Sequence, residues 1–252
     1  MRGQILITAA LIGITACAST QEPVMAGDVP DPLEGFNRAM FGFNKGVDQA
    51  VLEPVADGYR AVTNEPIRGG VSNFLTNLNQ PVVFVNTVLQ GKPGAAIDTA
   101  ARFVVNTTIG VGGIFDPATH FEVPEHNEDF GQTLGKWGVA AGPYIVLPFL
   151  GSTNLRDLTG SGVDGFASPL NYGQGDTYTA TRAAIGVVGV VSARERLDTQ
   201  IEALFSQPEP YVALRRNYSQ QRDAAIRDGA PQEDPFANLP DFDDYDFGDE
   251  TE

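Results

Sequence analysis

The chain has 252 residues, 42% of them hydrophobic and 19% charged, with a formal net charge of −16. Its length suits one sizeable globular domain or two small ones. The acidic balance argues against nucleic acid as a partner, because displacing counterions from a phosphate backbone takes Lys and Arg. The lone cysteine, Cys17, excludes a disulfide framework within the chain.

Residues 1–16 open with one Arg and continue as an apolar run from Ile5 to Ile14. A run of about ten residues is too short to cross a bilayer core of roughly 30 Å as a helix, and has the size of a signal-peptide core. Ala16 before Cys17 in "ITAC" resembles the bacterial lipobox, where the thiol takes a diacylglycerol, the signal is removed and the new N-terminus is acylated. An ordinary signal peptide with a stray Cys is the alternative. Position 18 is Ala, not the Asp that tends to hold enteric lipoproteins in the inner membrane, so the outer membrane is expected. Residues 17–30 then form a lipidated tether.

From residue 31 the pattern is helical. Phe36, Met40, Phe43, Val47 and Val51 share one helical face, widened by Phe41. Asp31 and Glu34 near its start suit the helix dipole, and Glu53-Pro54 is expected to stop it. Val71, Phe74, Leu75 and Leu78 mark a second helix, and Pro81 is expected to open a third in its first turn, ending at the Gly-Lys-Pro-Gly turn of 91–94. The following segment becomes apolar nearly all round between 100 and 115. In the Gly/Pro-rich middle, "YIVLPF" at 144–149 is the best strand candidate despite its Pro. Helical character resumes with a stripe of Leu197, Ile201, Leu204 and Phe205. A last helix has Pro210 early and Gly229 just past its end.

The domain, residues 31–229, therefore reads as mainly α. Each apolar stripe faces a core by default, and stripes this wide leave partial burial in lipid equally open. Residues 230–252 combine acid, Pro and aromatics, and every ionised side chain after Arg227 is acidic. Such a segment is expected to be disordered. It is either a solvated tail or a docking arm with Phe236, Phe242, Tyr245 and Phe247 as anchors.

Catalytic chemistry finds little support. His120 and His126 stand six apart among carboxylates, which fits neither a helical zinc pair nor a finger spacing; a polar loop is expected, with no metal. Ser161 in "TGSGVDG" has Thr159 where a nucleophile elbow has its first Gly, and no strand precedes it. A Ser161-dependent phospholipase is the enzymatic alternative. "GVGGIF" lacks the Lys-Ser/Thr of a phosphate loop. Asn106 and Asn217 match the glycosylation acceptor pattern, with no reason for its use in a bacterial lipoprotein. No enzyme and no cofactor are expected.

The segments "DPLEGFNRAMFGFN", "RFVVNTTIGVGGIFDPA" and "EDFGQTLGKWGVAAGPYIVLPFLGSTNLRD" resemble, in order and behind a lipobox, the MlaA (VacJ) family of outer-membrane lipoproteins. The resemblance implies a ring-shaped bundle of amphipathic helices around a central channel, seated in the inner leaflet of the outer membrane, with the acidic tail outside the resemblance. It further implies retrograde phospholipid transport that maintains lipid asymmetry. The implied partners are phospholipid, trimeric porins, a soluble periplasmic carrier and an inner-membrane ABC transporter complex. A non-transporting lipoprotein that scaffolds porins is the rival reading. The family's flexible hairpin beside the channel corresponds to Gly138, Ala140, Gly142, Pro143 and Tyr144. Ala140 replaces the middle Gly, so the hairpin is either stiffer than its relatives or has an ordinary conformation there. Phe43 and Asn44 match the family's "FN", a region tied to gating; otherwise they are a buried Phe and a solvent-facing Asn.

Overall fold

The computed structural model describes residues 30–230; the signal segment, Cys17, most of the tether and the tail from 231 lie outside them. The chain runs α1 (Glu34–Val47), a π turn (Asp48–Leu52), α2 (Glu53–Val62), α3 (Glu65–Leu89), α4 (Pro93–Thr108), α5 (Pro117–His120) and α6 (Phe130–Lys136). A hairpin of β1 (Tyr144–Leu147) and β2 (Gly151–Asn154) follows, then α7 (Leu155–Ala167), a 3₁₀ turn (Pro169–Asn171), α8 (Asp176–Arg196), α9 (Asp198–Phe205) and α10 (Pro210–Ile226). The fold is mainly α, as expected. Asn64, Asp129 and Asn154 cap α3, α6 and α7 by accepting from Ile67, Gln132 and Asp157 backbone N–H groups. The strand is shorter than "YIVLPF", because Pro148 falls in the turn, and it pairs antiparallel with Tyr144 opposite Asn154 and Leu147 opposite Gly151.

Two prolines depart from expectation. Glu53-Pro54 does not end the first helix, which passes through the π turn into α2. The Glu53 N–H donates to the Asp48 carbonyl five residues back, and this wider turn gives the Pro54 ring room that an i→i−4 ladder withholds. The same turn aims Asp48 at Arg194, whose Nε lies 2.7 Å from Asp48 Oδ1. Pro81 does not open a helix either; it lies inside the 25-residue α3. The turns on both sides of it are fixed from outside. Asn77 Nδ2 donates to Thr107 Oγ1 at 2.9 Å and Asn86 Nδ2 to Asp164 Oδ1 at 2.8 Å. Packing against α4 and α7 thus offsets the missing bond, which in a free helix costs about 3 kcal/mol.

The interior is unusual. Among the described residues eight hydrophobic side chains are buried, against eighteen polar or charged ones. Aromatic packing is concentrated around Tyr144, Val146 and Tyr211, with Met40, Phe41 and Tyr218 against them. The α1 stripe is split: Met40 and Phe41 pack on this cluster, whereas Phe36, Phe43 and, in the π turn, Val51 are exposed, and Asn37 is fully buried. Helices α6 and α7 cross in backbone contact, since a Cβ on Gly160 would lie 2.4 Å from the Gly131 nitrogen.

Candidate functional site

The hairpin and its approach form one unit with α1. Gly138 and Gly142 have φ of +86° and +71°, a region only Gly enters freely. Ala140 does not share it, so of its two readings the backbone takes the ordinary one. Tyr144 is buried, and its hydroxyl lies 2.7 Å from Ser152 Oγ across the hairpin. At the tip, Phe149 holds a φ of +65° while its ring stands exposed, a strained position for a bulky residue.

Two asparagines of α1 hold β1 by its outer edge. Asn37 donates to the Tyr144 carbonyl at 3.0 Å and accepts from the Val146 N–H at 2.8 Å. Seven residues on, Asn44 donates to the Leu147 carbonyl at 2.9 Å and accepts from the Phe149 N–H at 2.8 Å. A primary amide presents one donor and one acceptor, as a neighbouring strand would, so α1 completes the sheet with side chains. The alternative to a gating role, a buried Phe43 and a solvent-facing Asn44, is reversed. Phe43 is 43% exposed and meets the Phe149 ring edge-on at 5.2 Å, while Asn44 is engaged on the hairpin. The sequence reading missed Asn37; its spacing of two turns from Asn44 was the available signal.

Behind the hairpin lies a network of buried charge. Asp157 accepts from Asn154 at 2.8 Å and Tyr218 at 2.6 Å, and its carboxylate stands 2.8 Å from Arg222 Nε. Arg222 also grips Asp129 with two bonds of 2.6 and 2.9 Å. Burial by itself would push the Asp129 carboxyl up, but Arg222 and Gln132 outweigh it and hold the carboxyl at about 2. The network ties α6, α7, β2 and α10 together around the strand that α1 clamps.

The other sequence candidates separate. Ser161 sits within α7 and its hydroxyl donates to the Asp157 carbonyl of its own helix at 3.0 Å, so a strand–turn–helix elbow is not its setting. His120 is exposed, and His126 Nε2 is 3.1 Å from Asp98 Oδ2. Among the described residues no group of three His, Cys, Asp or Glu is placed to hold a metal. The "GVGG" cluster ends α4: Gly112 and Gly113 N–H groups donate to the Thr107 and Asn106 carbonyls. Gly113, at φ +91°, presses on Asn77, where a Cβ would come within 2.4 Å of the side chain. Asn106 is buried, bonded to Asp116 Oδ1 and to the Ala118 N–H.

The apolar side chains have gone outward instead. Thirty-one large hydrophobics among the described residues are exposed, including Phe84, Val85, Val88 and Leu89 along α3, Phe103 and Val104 on α4, and Val187, Val188 and Val190 on α8. The hairpin tip adds Phe149 and Leu150, and α7 adds Phe166. Exposed apolar side chains in such number suit contact with lipid or a partner. No helix among the described residues is long and apolar enough to cross a membrane.

The MlaA lipoprotein family model matches residues 29–225. The chain belongs to the MlaA lipoprotein family. The intermembrane phospholipid transport system lipoprotein MlaA of Haemophilus influenzae is 35% identical over 235 residues, covering 91% of this chain and 93% of its own. The Escherichia coli K12 protein of the same name is 38% identical over 213 residues, covering 82% and 83%. A solved structure described as the structural basis for maintenance of bacterial outer membrane lipid asymmetry superposes with a TM-score of 0.70 at 37% identity, over 79% of this chain and all of that one. The MlaA match takes in α1 with its clamp, the hairpin and the charged network.

Proposed function

We propose that this protein is an outer-membrane lipoprotein that removes mislocalised phospholipids from the outer leaflet and passes them to the periplasmic side, maintaining lipid asymmetry. The observation that carries this reading is the inverted distribution: a polar, charge-paired interior beneath an apolar exterior, without a helix that crosses a bilayer. Such a body is stable where acyl chains cover its outside, and its polar interior can receive a headgroup that lipid tails cannot accompany through water. The names of the Haemophilus and Escherichia relatives support the same assignment.

In this reading the acylated Cys17 anchors the protein in the periplasmic leaflet, with about 0.8 kcal/mol gained per buried CH₂. The helices ring an amphipathic channel, the hairpin of residues 138–154 stands beside it, and the Phe43–Asn44 contacts set the position of its tip. Trimeric porins hold the protein in place. A soluble carrier and an inner-membrane ABC transporter complex draw the lipid onward, and the gradient they maintain sets the direction. The test is outer-leaflet phospholipid on intact cells with and without the gene. A rise on deletion, reversed by the wild type but not by Cys17→Ala, is expected. No change, with porin assembly altered instead, would establish the scaffold reading.

A further inference from the structure

A second polar interior lies away from the hairpin. Between α3, α4, residues 116–125 and the end of α8 is a cavity of about 160 Å³, lined by Asn77, Gln80, Arg102, Glu125 and Arg196 among others. Three polar atoms there have no partner: Asn77 Oδ1, Gln80 Oε1 and Arg102 Nε. Their side chains belong to residues 4%, 3% and 2% exposed. The Asn77 orientation is fixed, because its Nδ2 already donates to Thr107 Oγ1 and to the Gly112 carbonyl. Unpaired buried polar atoms are destabilising and rarely cluster without something to satisfy them.

The charges around the cavity are divided. The Arg102 Nη atoms are engaged, on Asp116 Oδ2 and the Val123 carbonyl, both at 2.7 Å, which leaves Nε as its remaining donor. Arg196 donates to Ser72 Oγ at 2.9 Å, and among the described residues it has no carboxylate at ion-pair distance. Glu125 is half in solvent, 3.7 Å from Arg102 Nη2. The site thus offers a cation and a spare guanidinium N–H beside two amide acceptors and two carboxylates, of which Asp116 is already bonded to Arg102. An apolar groove of about 690 Å³ opens alongside, sharing Asn73 and Asp116 with the cavity and walled by Ile109, Ile114 and Phe115. Water alone would satisfy the three atoms, but water gives no role to the adjoining groove or to Arg196.

We propose that this cavity is a headgroup subsite for a phospholipid bearing a phosphoethanolamine, with its glycerol and acyl side in the Ile109–Ile114–Phe115 groove. The phosphate accepts from Arg196 and Arg102 Nε. The ammonium donates to Gln80 Oε1 and Asn77 Oδ1 and faces Glu125. This rests on the phospholipid-transport reading and adds a headgroup preference to it.

The test uses the full lipidated chain in dodecyl maltoside, titrated with dioleoyl phosphatidylethanolamine or dioleoyl phosphatidylglycerol and read by native mass spectrometry. Free phosphoethanolamine and inorganic phosphate serve as soluble competitors. The ethanolamine lipid is expected to be retained at least about fivefold more strongly than the glycerol lipid. Arg196→Gln, on an exposed side chain hydrogen-bonded to Ser72, is expected to weaken both lipids by a similar factor. Gln80→Leu is expected to abolish the preference while leaving the glycerol lipid bound. Equal retention of the two lipids by the wild type, or an unchanged ratio in Gln80→Leu, would assign the cavity to water and overturn the proposal. In that case undiminished outer-leaflet clearance by both variants leaves the transport reading standing. Displacement by soluble phosphoethanolamine at lipid-like concentrations would overturn it in favour of a small solute. A wild type that retains neither lipid would overturn the proposal and the transport reading together.

Discussion

Replacing Asn37 by Ala should show how much the side-chain edge of α1 contributes to holding the hairpin. Asn37 is fully buried and serves the Tyr144 carbonyl and the Val146 N–H, whose residues are 2% and 0% exposed. It also donates to Asp31 Oδ1 at 2.8 Å. With Asn37 gone, water cannot reach these two backbone groups, and each buried group left unpaired costs about 1–3 kcal/mol. The expected loss is about 3–4 kcal/mol, which for a domain of this size lowers Tm by roughly 6–16 °C. Asn44→Ala removes a chemically identical pair of bonds, but the Phe149 amide is on an exposed residue. Water replaces the side chain there, and the expected loss is only about 0.5–1.5 kcal/mol. Thermal melts followed by circular dichroism in detergent measure both losses. Amide exchange adds a local reading: Asn44→Ala should speed exchange at Phe149 while leaving Val146 protected. Equal destabilisation by the two substitutions would refute the argument, because it would mean that burial of the receiving backbone does not decide the cost.

Three further outcomes are expected. Gly113→Ala places a Cβ 2.4 Å from Asn77 at φ +91°, and urea denaturation should show a loss of at least about 2 kcal/mol. Gly112→Ala, at φ +72° but in open space, should lose only about 1 kcal/mol. Asp129 has a folded pKa of about 2, below its ordinary value, so its contribution is present above that ordinary value and disappears as pH falls from about 4 towards 2. After allowance for its partial exposure the contribution is about 1–2 kcal/mol, and Asp129→Asn should remove that part of the pH dependence of stability. Ala140→Gly should change stability by less than about 1 kcal/mol, through the unfolded chain alone, since Ala140 occupies no left-handed conformation; a larger effect in the same denaturation assay would place strain at this residue.

Local rules alone determined much of the element list. Helical spacing, the early Pro210 and the terminal Gly229 each depend on residues within a few positions, so they were legible before any contact was known; α6 and α7, in the Gly/Pro-rich middle, were not read as helices despite their local Asp129 and Asn154 caps. The order of the family's segments was equally legible, and with it the likeness to an outer-membrane lipoprotein. Which side of each stripe faces inward was not. A stripe such as Phe36–Met40–Phe43 specifies a face but not what covers it, and water-based intuition assigns it to the core. In the folded chain Asn37 and Asp48 turn inward from that helix because carbonyls, amides and Arg194 await them there, while Phe36 and Phe43 are left exposed. Pro54 and Pro81 were misjudged for a related reason: a proline breaks an isolated helix, but here a π turn and packing against α4 and α7 absorb the defect. The amide clamp on β1 and the unpaired atoms around Gln80 join residues far apart in the chain. Periodicity carries no information about such pairings, so only the tertiary structure decided them.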